Sequence, residues 1–463
     1  MKFKSPLYFC LLSAAALLSS CQSDDTSNYE NLPNLESRLM AGGETTIFLT
    51  SSNAFSTPAA NLNGTELDTH LDGDFQFEAA FVTAPANING GIGPIFNNTS
   101  CISCHPKDGR APFPDNINAL SGFFLRSSLP GTAANGGPVA VPNFGLQIQN
   151  QAIFGYEPEA KFQVNYTTFV ETLADGTQIT LQKPDYSLID TYVAVPSSIL
   201  LSPRIAPPVF GLGLLEAISE EDILIYQDIN DSDEDGISGK ANYVYDAISG
   251  TTKLGRFGWK ANTATILEQC AGAYLGDMGI TTYIFTEETG DGQTNGNDGL
   301  GDDPEITEDI LNQVAMYCQT LAVPAPRNIE DENVRRGAQL FEDIQCVKCH
   351  VPSMETSNHA IGAVSSQTIY PYSDMLLHDM GDGLADNRPD FLANGNEWKT
   401  RPLWGIGLTQ VVNGHTDFLH DGRAKNITEA ILWHGGEAET AKSNFKALST
   451  SEREDLLSFI NSL

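Results

Sequence analysis

The stretch Gln345-Cys346-Val347-Lys348-Cys349-His350, QCVKCH, has a counterpart far upstream in Ser100-Cys101-Ile102-Ser103-Cys104-His105, SCISCH. Both read C-x-x-C-H, the spacing at which a c-type haem is attached: the thiols add to the vinyl groups while the adjacent histidine turns under the ring as proximal iron ligand. A thioredoxin-like pair would sit at a strand-to-helix junction, and a four-cysteine zinc site would bring its second pair much closer in sequence. Neither context is present. The sequence therefore predicts two covalently attached haem c groups, one held by Cys101, Cys104 and His105 and one by Cys346, Cys349 and His350.

Working outward from the second motif, Val334, Ala338 and Phe341 recur at i, i+4 and i+7, the period of an amphipathic helix leading into it. The chain closes on LSTSEREDLLSFINSL, where Ser449 and Glu452 form a capping box and Leu456, Leu457, Ile460 and Leu463 mark an apolar face. Two such crossed helices build a small cytochrome c domain, so residues 327–463 read as one. Residues 59–326 are too many for a second minimal domain. Within them KFQVNYTTFVET and TQITLQ, separated by Ala174-Asp175-Gly176-Thr177, predict a β-hairpin among Pro/Gly-rich loops. The fold expected is mainly α, with two cytochrome c-like haem domains, the N-terminal one enlarged by long loops and that hairpin.

Residues 1–20 carry two lysines, an apolar stretch from Leu7 to Leu18 and small residues before Cys21, the layout of a secretory signal. Leu18-Ser19-Ser20-Cys21 matches a bacterial lipoprotein box, so an exported protein is expected, periplasmic or outer-membrane associated and held to the membrane by a lipid on Cys21. Residues 21–58 are expected to be a flexible tether. The formal charge of −34 excludes nucleic acid as a partner and suits a soluble exported body. A small redox protein or cytochrome is the expected electron partner; the sequence leaves the oligomeric state open. Outside the leader and the motifs, Cys270 and Cys318 form an even remainder that suggests a disulfide in an oxidising compartment.

Asp231, Asp233 and Asp235 alternate before Gly236, as carboxylates do in calcium loops. Position 12 of such a loop is Asn242, so the bidentate glutamate is missing, and the segment reads either as a calcium site or as a solvated acidic turn. TGDGQTNGNDGLGDD, residues 289–303, reads as a mobile loop.

Thr400-Arg401-Pro402-Leu403-Trp404-Gly405 and Phe418-Leu419-His420-Asp421-Gly422-Arg423-Ala424 resemble the bacterial dihaem cytochrome c peroxidases and the related methylamine-utilisation dihaem enzyme. GPIFN at 93–97, SPRIAPPVFGLGLLEAI at 202–218, GRFGWKA at 255–261, GDMGIT at 276–281, LAVPAPR at 321–327 and LLHDMGDGLAD at 376–386 make the chain similar, more closely, to the dihaem oxidoreductase family labelled thiol oxidoreductases. In the peroxidase relatives the short helix after the His-Asp-Gly stretch delivers the second axial ligand of the C-terminal haem, methionine or tyrosine. The resemblance brings His434 of ILWHGG to that position. Local signals are compatible: Asn426 can cap the helix with Glu429 at N3, and Gly435 would end it, although a histidine at a helix C-terminus is also favoured by the helix dipole alone. A His350/His434 haem would be six-coordinate, of lower potential than a Met/His haem, and an electron relay.

The same relatives carry a tryptophan between the haems, a glutamine ten residues later and then a distal glutamate. Trp259 and Gln269 match, but the next expected position is Gly279, and the nearest acid is Asp277. His70, Lys260 and Met278 are candidate sixth ligands of the N-terminal haem, as is no ligand at all. His378 and His420 are expected to support a haem or its propionates, and His359 and His415 carry no signal beyond loops. The resemblance implies an oxidoreductase passing electrons to an N-terminal haem that reduces a small oxidant such as peroxide. A non-enzymatic dihaem electron carrier is the alternative, and a thiol oxidoreductase a third reading.

Overall fold

The structure, a computed structural model, describes residue 1, residues 32–288 and residues 292–463. Apart from Met1, the expected leader and Cys21 lie outside the described residues. The expectation of a mainly α fold is corrected: the chain is 29 % helix and 18 % strand, with eleven α-helices and six small sheets among the described residues. The helices that flank the two motifs do form, but the segments between them are β-branched and interrupted by Pro and Gly. Proline lacks the N–H a helix needs, so these segments pair locally as strands. In the largest sheet, β1 (Phe123–Ser128) pairs antiparallel with both β2 (Gln147–Ile148) and β5 (Leu200–Ile205). No helix among the described residues is long and apolar enough to cross a membrane.

Two helix crossings frame the motifs. Before the first motif, α1 (Gly64–Glu78) starts on an Asn63/Glu66 capping box and packs against α3 (Glu308–Thr320). Before the second, α4 (Glu332–Asp343) buries Val334, Ala338 and Phe341 against α6 (Thr450–Ser462), which starts on the expected Ser449/Glu452 capping box. Each crossing is close because a glycine sits at it. A methyl group at Gly73 would lie 2.2 Å from the Gln313 carbonyl oxygen, and one at Gly337 would lie 2.0 Å from that of Asp455. Overpacking of this kind costs about 1–3 kcal/mol.

The predicted hairpin is present and longer than expected: β3 (Lys161–Thr172) and β4 (Gln178–Ile189) pair from Lys161↔Ile189 to Thr172↔Gln178 around the expected turn. Its tip reaches the C-terminal half, where Ala174 N–H donates to the Lys446 carbonyl at 2.9 Å. Residues 32–58 pack on the body instead of extending as a tether. Phe55, 1 % exposed, stacks on Phe210 at 4.3 Å, Ile47 N–H donates to the Val323 carbonyl at 3.0 Å, and the Arg335 Nε–H donates to the Pro33 carbonyl at 3.0 Å. Cys104 and Phe123 belong to the same buried cluster as Phe341 and Phe459. The halves divided in sequence at 326/327 thus share apolar cores.

Candidate functional site

Each motif turns its cysteines and histidine into a cavity of its own. Cys101–Cys104 form a single helical turn whose N-terminus is capped by Ser100, and His105 N–H donates back to the Cys101 carbonyl at 2.9 Å. In the second motif Cys346–Lys348 form a 3-10 turn, and His350 N–H donates to the Cys346 carbonyl at 2.9 Å. The first cavity has a volume of about 160 Å³ and the second about 250 Å³. All four motif thiols are free, and burial pushes each of them up, Cys346 to about 12.

The two proximal histidines are held alike. His105 Nδ1 lies 2.7 Å from the Pro207 carbonyl oxygen, and His350 Nδ1 lies 2.9 Å from that of Tyr372. A carbonyl can only accept, so Nδ1 carries the proton in both rings and the Nε2 lone pair is left for a metal. Burial pulls both imidazoles down to about 4, which keeps them neutral.

His434 lines the second cavity as the C-cap of the helix α5 (Ile427–Trp433), which Asn426 caps at its other end by accepting from Glu429 N–H at 2.8 Å. Ile427, Ala430, Ile431 and His434 recur at i, i+3, i+4 and i+7 and all face that cavity. His434 Nδ1 donates to the Ala430 carbonyl at 2.7 Å, again freeing Nε2, and His434 is near enough to His350 to lower it further. One local expectation is corrected. Gly435 is extended, and the glycine in left-handed conformation is Gly436 (φ +54°), where the chain runs close against Asp379.

The first cavity is faced by α2 (Ile266–Met278), which presents Gln269, Ala273 and Asp277 at i, i+4 and i+8. This explains the missing glutamate. Gly279 is the left-handed C-cap that ends α2, whereas Asp277 is two turns from Gln269 on the same face. Burial raises the Asp277 carboxyl above the ordinary range, against the pull of Arg126 and of a 2.7 Å hydrogen bond from Gln147 Nε2–H. Met278 also lines this cavity. His70 and Lys260 do not. His70 Nδ1 pairs with the Thr320 hydroxyl at 2.7 Å, and Lys260, 0 % exposed, is tied to Asp386 at 2.8 Å and to the carbonyls of Arg388 and Asn394.

Trp259 lines both cavities, together with Pro208, Leu212 and Arg401. Its Nε1–H donates to the Ile205 carbonyl at 3.0 Å, and the guanidinium groups of Arg110 and Arg401 lie over the ring at 5.4 and 5.1 Å. The side chains the sequence reading missed are these cations. Arg110, Arg126, Lys399 and Arg401 line one or both cavities, and none has an acidic partner in an ion pair among the described residues. Burial lowers Arg110 to about 9 and Arg401 to about 10. Buried cations without counter-charges are costly. Haem propionates supply that charge, so thiols, imidazole and cations together fit a haem in each cavity.

The remaining predicted residues fall around this centre. His378 has both nitrogens occupied, by Asp374 at 2.7 Å and Glu437 at 2.6 Å, so it supports the second cavity without a lone pair to offer iron. His420 stacks on Trp398 at 3.9 Å, and its buried Nε2 has no hydrogen-bond partner among the described residues, the Asp421 carboxylate lying 3.9 Å away. Cys270 and Cys318 are both buried free thiols on the wall of the first cavity, so the expected disulfide is not formed. The carboxylates of Asp231, Asp233 and Asp235 gather within 4.8 Å, with the Lys348 ammonium 2.8 Å from Asp235 and 4.0 Å from Asp233. His359 lies 3.5 Å from Glu216, and His415 lies 3.0 Å from the Arg110 carbonyl oxygen.

A family model described as "Di-haem oxidoreductase, putative peroxidase" matches residues 37–463. Among curated proteins none matches the chain. The matched span takes in both C-x-x-C-H motifs and every wall of the two cavities they line, and the protein belongs to the di-haem oxidoreductase family.

Proposed function

We propose that the protein is an exported dihaem c-type oxidoreductase that reduces a small oxidant such as peroxide beside His105, with electrons relayed from the side of His350 and His434. The observation that carries this reading is an asymmetry. The second cavity is lined by His350 and His434, each with Nδ1 on a backbone carbonyl and Nε2 left free, and by His420 stacked on Trp398, whereas among the described residues His105 is the only histidine lining the first. Haem c, when bound, supplies one-electron redox chemistry and, where a coordination position stays open, a place for the oxidant. The chain supplies the rest. Cys101, Cys104, Cys346 and Cys349 would form the thioether links, and His105, His350 and His434 the axial ligands. Asp277, whose carboxyl burial raises and Gln147 positions, would hold the proton that peroxide reduction consumes. Gln269 would orient the oxidant, and Trp259 fills the wall between the two cavities.

The electron partner in this reading is a small redox protein, and the body is anchored by a lipid on Cys21. Calcium at Asp231, Asp233 and Asp235 would have to displace the Lys348 ammonium, so it is not included. The alternative of an electron carrier with both irons six-coordinate draws on one observation, that Met278 lines the first cavity. Electron paramagnetic resonance of the purified holoprotein separates the two. The enzymatic reading expects one low-spin and one high-spin haem; two low-spin haems, with no high-spin form after one-electron reduction, would remove it.

A further inference from the structure

The helix that carries His434 is two turns long, and a helix so short has little stability of its own in water. The placement of His434 must therefore come from what packs on the face of α5 turned away from the cavity. That face presents Leu432 and Trp433, 2 % and 4 % exposed. The Trp433 indole N–H has no hydrogen-bond partner among the described residues, so the ring is held by packing and by the charge laid over it.

Part of that packing comes from the loop at Gly383, and part from the β3–β4 hairpin, an insertion rooted in the other half of the molecule. Phe169 of β3 meets Trp433 edge to face, with ring centroids 5.2 Å apart and an interplanar angle of 90°. Tyr186 of β4 reaches the same ring indirectly. Its hydroxyl donates to Asp421 at 3.3 Å, Asp421 pairs with Arg423 at 2.9 Å, and the Arg423 guanidinium lies over Trp433 at 4.8 Å. The hairpin tip is fastened separately. Lys446 pairs with Glu171 at 2.5 Å, Thr450 donates to Asp175 at 2.8 Å, and Arg453 pairs with Asp175. At its root the hairpin is tied to the first half, where Phe162 N–H donates to Asn118 Oδ1 at 2.8 Å and Tyr186 stacks on Phe123 at 5.5 Å.

We infer that the β3–β4 hairpin is a strap that positions His434 for the second iron, with Phe169 and Tyr186 as positioning residues acting through Trp433. This rests on the reading of His434 as an axial ligand. It goes further in making the ligand's hold depend on a segment of the opposite half of the chain, so that a disturbance there is felt as a looser sixth ligand here.

Carbon monoxide binding to the fully reduced holoprotein, followed by stopped flow, tests it. An open first haem binds in a fast phase, and the second binds only as fast as His434 departs. An edge-to-face aromatic contact is worth enough to shift such a departure several-fold to about tenfold. Phe169→Ala should speed the slow phase by that factor and leave the fast phase unchanged. Phe169→Tyr should restore the native rate, and Asp175→Ala, which frees only the tip, should speed the slow phase less. A native slow phase in Phe169→Ala and in the double variant Phe169→Ala/Asp175→Ala, with both haems retained, overturns the strap. His434→Gly should abolish the slow phase altogether. If it leaves that phase unchanged, the ligand assignment fails instead, independently of the hairpin.

Discussion

Around His105 and around His350 the proximal half of the site is repeated almost atom for atom: a turn of helix, a cysteine carbonyl accepting from the histidine N–H, and Nδ1 pinned to a loop carbonyl at 2.7 or 2.9 Å. The opposite walls have nothing in common. The first is a face of α2 carrying Gln269 and Asp277; the second is the short helix α5 carrying His434. Under the proposed function, attaching a haem needs the same groups each time, so they recur. The group facing each iron would then set one site to relay electrons and the other to admit a reactant, and there the two halves diverge.

The comparison breaks most visibly if His434→Gly is made. The C-terminal haem should then lose its low-spin signal entirely in electron paramagnetic resonance, becoming like the first, while the N-terminal signal stays as it was. Asp277→Asn should act on the other wall. Peroxide turnover should fall by about 10²-fold, the usual contribution of a general acid, with no change in the spin state of either haem. A full-rate variant would show that Asp277 carries no proton for the reaction. A smaller effect concerns the carboxylates that support the second cavity through His378. Paired with His378, Ser238 and the Asp379 N–H, the Glu437 carboxyl is held down to about 2 despite the opposing effect of burial, against an ordinary value of 4.5. A depressed carboxyl stabilises the fold above its unfolded value and loses that contribution as pH falls toward its folded value. Acid unfolding should therefore steepen between pH 4.5 and about 2 in the native protein and be shallower there in Glu437→Gln. The smallest expected effect sharpens the asymmetry: Met278→Leu should leave the first haem high-spin, and a native protein whose low-spin signal at that haem disappears with Met278 would identify a sixth ligand.

What could be read in advance follows the range of the forces involved. The motifs, the capping box at Ser449, the helix into the second motif and the turn at 174–177 are local, and each is legible in a few adjacent residues. Asp277 was legible as a departure from a pattern, but its reason was not, because only the left-handed end of α2 at Gly279 makes the shift natural. The mixed character of the fold was missed because short strands such as β1 and β5 pair across many residues and have little periodicity of their own. The cations were missed for a similar reason. Arg110 converges with Lys399 and Arg401 only through the tertiary fold, and nothing in the sequence around either position marks them as lining one site.

Those unpaired cations bear on how the protein matures. An unloaded chain must keep the buried guanidinium groups of Arg110 and Arg401 together over Trp259 with no ion-pair partner among the described residues, so its folded state is handicapped until the cofactor carboxylates arrive. Loading is then part of folding, because whatever binds only the folded chain stabilises it. A molecule left without its cofactor populates the unfolded chain more and stays more open to proteolysis.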